Sequence, residues 1–178
     1  EAVILTTFQA ISGAGYPGVA SLDIFDNVIP YIAGEEPKVE IEAQKIIGEF
    51  VDGAIIKADF PVSAQCFRVN VLDGHMVSLR VKLKNRGTLE EVVDSMRTFP
   101  SLDLHSSPKH FMEVTDEPSR PQTRLDRDNG NGMTITVGRV FPDNIFDYRF
   151  VALSHNTLRG AAGCAVLNAE LLIAKNLI

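Results

Sequence analysis

The chain has 178 residues, of which 45% are hydrophobic and 22% charged, and its formal net charge is -6 at pH 7. This length is sufficient for one domain with a hydrophobic core. The acidic balance argues against nonspecific nucleic-acid binding, which requires a positive field. No apolar run is long enough to cross a bilayer. We therefore expect neither nucleic acid nor a membrane as a partner.

The chain contains two cysteines, Cys66 and Cys164. Two cysteines cannot build a disulfide framework, and neither has metal-type spacing, so no metal site is predicted. We predict that both are small buried residues in a reducing, cytoplasmic setting. An apolar run follows Glu1 directly, from which we expect the chain to be a domain of a longer protein.

The first third of the chain predicts a strand, a loop and a helix. Residues 2–9 are β-branched and apolar, which is typical of a buried strand. Residues 12–18, SGAGYPG, form a glycine-rich loop. A helix is predicted from Pro37 to about Phe50, because proline suits the first turn and apolar residues recur at helical spacing.

Two β-rich runs, residues 62–72 and 75–83, are separated by Asp73-Gly74. Asp-Gly between such runs favours a two-residue type I′ turn, so we predict a β-hairpin. Directly opposed residues share a face, and alternate residues of a strand share it too. The hairpin therefore predicts one common face for three polar residues: Arg68, Asn70 and His75.

The remaining elements follow in order. Thr88 is predicted to cap a helix, with Glu91 completing a capping box. A strand is predicted at 110–115, a long polar arm at 116–132, and two further strands at 133–141 and 146–154. Ser154 or Asn156 is predicted to cap a final helix. Strands joined by hairpins indicate an α+β fold, with a mostly antiparallel mixed sheet and helices packed on one face.

For each candidate functional residue, the sequence pattern alone also allows a purely structural role. Arg68 and His75 fit a solvent-facing pair and a ligand site equally well. If Arg68 is buried, it requires an anionic partner, and a histidine can move protons near neutral pH. Glu42 and Lys45, three apart on the helix, suit a solvated ion pair. The residues alone also favour a connecting loop at 12–18 and a capped, closely packed helix at 155–163.

Five segments, taken in order, resemble aspartate-semialdehyde dehydrogenases, especially their archaeal and fungal branch. They are TTFQAISGAG, EIEAQKI, CFRVNVLDGH, RPQTRLDRDNGNGM and HNTLRGAAG, and the resemblance covers nearly the whole chain. It implies a substrate-binding and dimerisation domain at 1–154, like the C-terminal domain of glyceraldehyde-3-phosphate-dehydrogenase-like enzymes. It also implies that residues 155–178 form a helix that packs on an NADP-binding domain outside this chain.

The family that the chain resembles reduces aspartyl phosphate to aspartate semialdehyde and phosphate with NADPH. This reaction lies on the route to lysine, threonine and methionine. A cysteine attacks the acyl phosphate, the resulting thioester accepts hydride, and a histidine serves as general acid and base.

The resemblance also assigns roles to individual residues of this chain. His75 corresponds to the acid–base histidine, and Gln9 to a glutamine near the nucleophile. Arg68 corresponds to the residue that binds the substrate carboxylate. Glu42 and Lys45 correspond to the residues that hold the amino group and lie near the phosphate. Three positions correspond to cofactor contacts: Ser12, Gly13 and Asn156.

The resemblance places the nucleophilic cysteine and most of the NADP site upstream of this chain. Cys66 and Cys164 do not occupy the nucleophile's position, so the chain alone is expected to be inactive. Two alternatives stay open. One is a related acyl-CoA or acyl-phosphate reductase, such as a malonyl-CoA reductase, which has no need for the Glu42 role. The other is an oligomerisation module that forms a homodimer or tetramer.

Overall fold

One seven-stranded sheet organises the chain, and a computed structural model describes all 178 residues. The strands are β1 (Ala2–Gln9), β2 (Val28–Ile29), β3 (Glu49–Val51), β4 (Ala54–Ile56), β5 (Val62–Val69), β6 (His75–Lys82), β7 (Met112–Thr115), β8 (Ile135–Pro142) and β9 (Tyr148–Ser154). The helices are α1 (Ser21–Ile24), α2 (Glu35–Ile46), α3 (Leu89–Arg97), α4 (Thr123–Asp126), α5 (Asn129–Gly132) and α6 (Gly163–Ala174).

The strand order in the sheet is β2-β5-β1-β6-β9-β8-β7, and β3 and β4 form a separate small hairpin. Four of the pairings in the large sheet are antiparallel, and two, β1 with β5 and β7 with β8, are parallel. Helices α2 and α3 pack against the same face of the sheet, where Glu35 of α2 contacts Gln9 and Met96 of α3 lines one groove with Val77. The predicted α+β class with a mostly antiparallel mixed sheet is confirmed.

The predicted hairpin between β5 and β6 is wrong, because β1 lies between these strands. β1 pairs in parallel with β5 from Val3 to Gln9 and antiparallel with β6 over its whole length. The connection around Asp73-Gly74 bonds to the chain that leaves β1 rather than closing on itself. The backbone N–H groups of Ala10, Ile11 and Ser12 donate to carbonyls at positions 74, 71 and 72. A non-local strand thus replaces the local partner that the turn favoured.

The segment around α2 differs from the prediction at both ends. The helix begins at Glu35, two residues before Pro37, and ends at Ile46 rather than near Phe50. Residues 49–56 instead form the β3–β4 hairpin, which turns at Asp52 and Gly53, both of which have positive φ. Proline still lies in the first helical turn, where its missing N–H has no intrahelical partner.

The two helix caps predicted from the sequence have different outcomes. At α3 the capping box is present, because the Thr88 hydroxyl accepts from the Glu91 N–H while the Glu91 carboxylate accepts from the Thr88 N–H. The last helix is not capped by Ser154 or Asn156. It opens with a π-helical turn, Leu158–Ala162, and the His155 Nδ1 accepts from the N–H groups of Thr157 and Leu158.

The arm at 116–132 is ordered by one buried carboxylate. Asp126 is 2% exposed and accepts hydrogen bonds from the Arg120 side chain and the Gln122 N–H. Because an ionised carboxylate accepts several charge-assisted bonds, this pair fixes the start of α4.

Across the whole chain, no helix combines the length and the apolar character that crossing a bilayer would require.

Candidate active site

Arg68, Gln9 and His75 form a row across three adjacent strands. In the sheet register, Gln9 on β1 lies directly opposite Arg68 on β5 and directly opposite His75 on β6. Opposed residues project from the same face, so Arg68 and His75 share a face as predicted, although by a different pairing. Two strand spacings separate them, which is roughly 10 Å between their Cα atoms. Asn70, predicted on the same face, is exposed and lies beyond the end of β5.

Arg68 is 7% exposed, and its Nη1 donates to the Ala10 carbonyl at 2.7 Å. No carboxylate of the chain forms a salt bridge with this guanidinium. Burial lowers the pKa of Arg68, while the nearby charge of Glu35 raises it. A guanidinium has five N–H donors, so Arg68 retains donors for an anionic ligand.

Gln9 joins the row to helix α2. Its Nε2 donates to the Thr7 hydroxyl at 3.2 Å and to Glu35 Oε2 at 3.1 Å. Lys38, one turn along the helix, forms a salt bridge with Glu35 at 3.3 Å. Burial raises the pKa of Glu35, but the bond from Gln9 and the charge of Lys38 outweigh it, and the net pKa is lowered. Glu35 is therefore an anion at neutral pH.

His75 begins β6 and is largely shielded from solvent. Burial lowers its pKa from the ordinary 6.5; the charge of Glu35 raises it, and those of Arg68 and Lys38 lower it. The imidazole is consequently neutral at pH 7, and in this form it can accept a proton. It also lines an open, largely apolar groove of about 410 Å³ on the helix-bearing face, so a reactant can approach it.

Glu42 and Lys45, predicted as substrate contacts, do not reach this cluster. Both are exposed, and neither side chain forms a hydrogen bond or salt bridge within the chain. Seven helical residues separate Glu42 from Glu35, which places it about 10.5 Å further along the axis. Glu35 and Lys38 lie beside Gln9 instead. The sequence contains a signal for this pair, because GEEPK at 34–38 has the same Glu-x-x-Lys spacing as Glu42 and Lys45.

Ser12, Gly13 and Asn156 come together beside the row, where three loops meet. The Asn156 Nδ2 donates to the Ser12 hydroxyl at 2.8 Å, and its Oδ1 accepts from the Gly74 N–H at 2.7 Å. A Cβ on Gly13 would lie 3.3 Å from the Arg68 Nη1. The amide of Asn156 therefore holds the loop after β1 against the residue that precedes His75.

Cys66 is unsuited to serve as the nucleophile, and Cys164 lies outside the row of Arg68, Gln9 and His75. Cys66 is fully buried, and desolvation raises the pKa of its thiol. Cys164 on α6 is only partly buried, so the prediction that both cysteines are buried holds for Cys66 alone, and neither cysteine forms a disulfide. The thiolate is the nucleophilic form, and burial disfavours it. No group of three or more His, Cys, Asp or Glu side chains is arranged to hold a metal ion.

Comparison with known proteins identifies relatives across the whole chain. A family described as semialdehyde dehydrogenase, dimerisation domain, matches residues 1–159. Aspartate-semialdehyde dehydrogenases from Archaeoglobus fulgidus and Aspergillus fumigatus are each 50% identical, over 99% and 100% of this chain. The chain spans about half of these curated relatives, 51% and 52% of their lengths.

A solved structure has the same fold. The crystal structure of aspartate semialdehyde dehydrogenase with NADP from Candida albicans superposes with a TM-score of 0.90 and 43% sequence identity. The match covers 100% of this chain and 52% of that one. Together with the family match over residues 1–159, these relatives show that the chain belongs to the semialdehyde dehydrogenase family.

Proposed function

We propose that this chain is the substrate-binding and dimerisation half of an NADP-dependent aspartate-semialdehyde dehydrogenase, here called the complete enzyme. The reaction is the reductive dephosphorylation of aspartyl phosphate to aspartate semialdehyde, in lysine, threonine and methionine biosynthesis. The supporting observation is a buried guanidinium with no carboxylate partner, Arg68, in one row with Gln9 and His75. A buried charge of this kind calls for an anionic ligand.

Substrate binding follows from the charges around the row. Arg68 presents a planar fork that matches a carboxylate, so it binds the substrate carboxylate. Glu35, an anion beside Gln9, holds the substrate amino group. Lys38 lies next to Glu35 and is more than half exposed, at 55%, so its ammonium contacts the phosphate. This assignment gives Glu35 and Lys38 the roles that the sequence resemblance gave to Glu42 and Lys45.

His75 is the general acid and base of this proposal. Its lowered pKa keeps the imidazole neutral at pH 7, so it takes the thiol proton from the nucleophilic cysteine and gives it to the departing phosphate as the thioester forms. Gln9 lies between His75 and Arg68, and its amide orients the reacting group. The nucleophilic cysteine is supplied by the other half of the enzyme, since Cys66 is buried and Cys164 lies on α6, outside the row.

The cluster of Ser12, Gly13 and Asn156 fits one end of NADP. It offers a hydroxyl, an amide and an approach free of a side chain at Gly13. When bound, NADPH supplies the hydride. Ser12 and Asn156 would hold one end of the cofactor, and Gly13, which has no side chain, would let it come close to the backbone. The rest of the cofactor binds to the half of the enzyme outside this chain.

Residues 155–178 contact that other half, whereas residues 1–154 form the substrate-binding and dimerisation domain. The support is the apolar character of α6. Leu167 is its one buried residue, whereas Val166 and Ile173 are 53% and 62% exposed. A helix that is apolar all round belongs in a protein interior. The cytoplasm is the proposed location, as for a biosynthetic enzyme.

The proposed activity is tested by a phosphate-dependent reverse assay. The complete enzyme, with aspartate semialdehyde, phosphate and NADP, is expected to form NADPH, which is followed by its absorbance. The 178-residue chain alone is expected to give no turnover above background, because it lacks the nucleophile. Turnover by the chain alone would contradict the assignment of the cysteine to the other half.

Substrate preference separates this proposal from the rival acyl-CoA or acyl-phosphate reductase. Succinate semialdehyde lacks only the α-amino group of aspartate semialdehyde, so it isolates the contribution of Glu35. The complete enzyme is expected to prefer the aminated substrate by about tenfold or more in kcat/KM, since a charge-assisted hydrogen bond contributes about 1.5 to 3 kcal/mol. Glu35→Gln should reduce this preference, and Glu42→Gln should leave it unchanged. Equal use of both substrates by the unmodified enzyme would favour the rival.

Self-association is proposed for residues 1–154, because the matching family is described as a dimerisation domain. Multi-angle light scattering of the chain is expected to give a mass of two or four times 19.5 kDa. A monomeric mass at the highest soluble concentration would contradict dimerisation through this domain. If the chain dimerises but the complete enzyme shows no catalytic activity, the oligomerisation-module alternative is supported.

A further inference from the structure

The outer edge of β5 is covered by side chains of α2 rather than by another strand. β1 occupies one side of β5, and β2 covers the other side only at Arg68 and Val69. Further along this edge, the N–H groups of Ala64 and Cys66 point away from β1. They donate to carboxylates of Glu40 and Glu36, both at 3.1 Å. Two carboxylates thus replace the carbonyl groups of an absent strand.

The spacing of these contacts matches between helix and strand. Glu36 and Glu40 are four residues apart on α2, which is about 6 Å along the helix axis. Ala64 and Cys66 are two residues apart on β5, which is about 6.6 Å along the strand. The helix runs opposite to the strand, so both bonds form at once. A displacement of the helix by one turn would break both of them or exchange their partners.

A third contact extends this anchored face. Gln44, one further turn along α2, donates to the Phe60 carbonyl at 2.9 Å. Three side chains at i, i+4 and i+8 therefore hold one face of the helix along the strand edge. The residue before Glu36 is Glu35, whose carboxylate bonds to Gln9 in the central row. The anchors and the functional carboxylate are neighbours in sequence, so the anchors determine where Glu35 points.

Anchoring matters because α2 carries two Glu-x-x-Lys pairs, Glu35–Lys38 and Glu42–Lys45. Seven residues correspond to nearly two full turns, so the two pairs lie at almost the same angle around the helix. They differ by about 10.5 Å along the axis. Rotation of the helix does not distinguish them, whereas axial position does. The bonds to Ala64 and Cys66 fix that axial position.

We propose that Glu36 and Glu40 are positioning residues, which fix the axial register of α2 on β5 and thereby place Glu35 and Lys38 beside Gln9, Arg68 and His75. Their carboxylate oxygens act as acceptors for backbone N–H groups, and their negative charge is not required. The inference rests on the proposed function only for what Glu35 binds. The positioning itself is measured without substrate, so its failure and that of the proposed function are distinguishable.

The test is the titration of His75, followed by the proton NMR signal of its imidazole in the full expressed chain. His75→Asn assigns the signal among the four histidines. Glu35 raises the pKa of His75, whereas Arg68 and Lys38 lower it. Glu35→Gln is therefore the reference and should lower the titration midpoint. The Glu36→Ala/Glu40→Ala double variant should lower it in the same direction, because α2 releases Glu35 from the row.

Two matched variants separate positioning from other effects. Glu36→Gln/Glu40→Gln keeps an acceptor oxygen at each site and should retain the original midpoint. Glu42→Ala, on the same helix, should retain it as well. If the double alanine variant loses its circular dichroism signal, each single alanine variant is measured against the same criteria.

Two results would overturn the proposal. The first is an unchanged His75 midpoint in the alanine variants while the Ala64 and Cys66 amides exchange faster with solvent. The second is a glutamine variant that behaves like the alanine variant, which would show that charge rather than the acceptor bonds holds the helix.

Discussion

Replacing His75 with asparagine is expected to lower kcat of the complete enzyme by about 10²- to 10⁴-fold, the usual contribution of general acid–base catalysis. Asparagine retains a polar side chain at the start of β6 but cannot take up a proton. Because substrate binding depends on Arg68 and Glu35, KM should change far less than kcat. Steady-state kinetics in the reverse direction measure both constants. His110→Asn is the matched control, since His110 is exposed and outside the row.

The pH dependence of kcat/KM provides a second test of the role of His75, with the same variant. The neutral imidazole is the form that accepts a proton, and burial lowers the pKa of His75 from 6.5. The kcat/KM of the unmodified enzyme should therefore be retained at neutral pH and fall as the pH drops below 6.5, through the pKa of the folded state. His75→Asn should lose this acidic limb. An unchanged limb would assign it to another group and contradict the role of His75.

Replacing Arg68 with lysine is expected to lower kcat/KM by about 30-fold or more, since disrupting a buried hydrogen-bonded charge pair costs about 2 to 5 kcal/mol. Lysine retains the charge but presents an ammonium instead of a planar fork. It also loses the bond to the Ala10 carbonyl, which joins β5 to the loop after β1. The loss should appear mainly as a higher KM, because the carboxylate is bound in the ground state as well.

Arg86→Lys serves as the control for this substitution, because the Arg86 side chain is 61% exposed and remote from the row. It should leave kcat/KM unchanged, because an exposed residue outside the row contacts no substrate and its substitution usually changes the free energy of unfolding by less than about 0.5 kcal/mol. Thermal unfolding of both variants separates lost binding from lost folding. A kcat/KM near the original value in Arg68→Lys would mean that the substrate carboxylate binds elsewhere.

Local signals in the sequence predicted local structure well. The first strand has the bounds that its apolar run predicted, and the Thr88–Glu91 capping box forms because both partners lie within one helical turn. The Asp73-Gly74 turn was misleading for the opposite reason. Its tendency to close a hairpin contributes little compared with a full strand, and β1 offers an entire edge to each neighbour. Nothing near Gly74 in the sequence reveals that competitor.

The candidate site was predicted only in part, because some of its geometry follows from local sequence patterns and the rest depends on contacts between distant residues. Period-two alternation placed Arg68 and His75 on one face, and this conclusion survived the change of partner because Gln9 of β1 lies directly opposite both residues. The choice between Glu35 and Glu42 could not be made from spacing, since both pairs have the same pattern. It depends on where α2 meets β5, which is a contact between residues up to 30 positions apart.

The central place of β1 has a consequence for how the chain acquires its structure. Within these 178 residues β1 is synthesised before both of its neighbours in the sheet, and the bond from Arg68 to Ala10 spans 58 residues of chain. At ribosomal rates of about 5 to 20 residues per second, β1 waits roughly 3 to 12 s before its partners emerge. Long-range pairing of this kind also slows folding. During that delay an apolar strand with two open edges is exposed, and such edges are sites where nascent chains can aggregate.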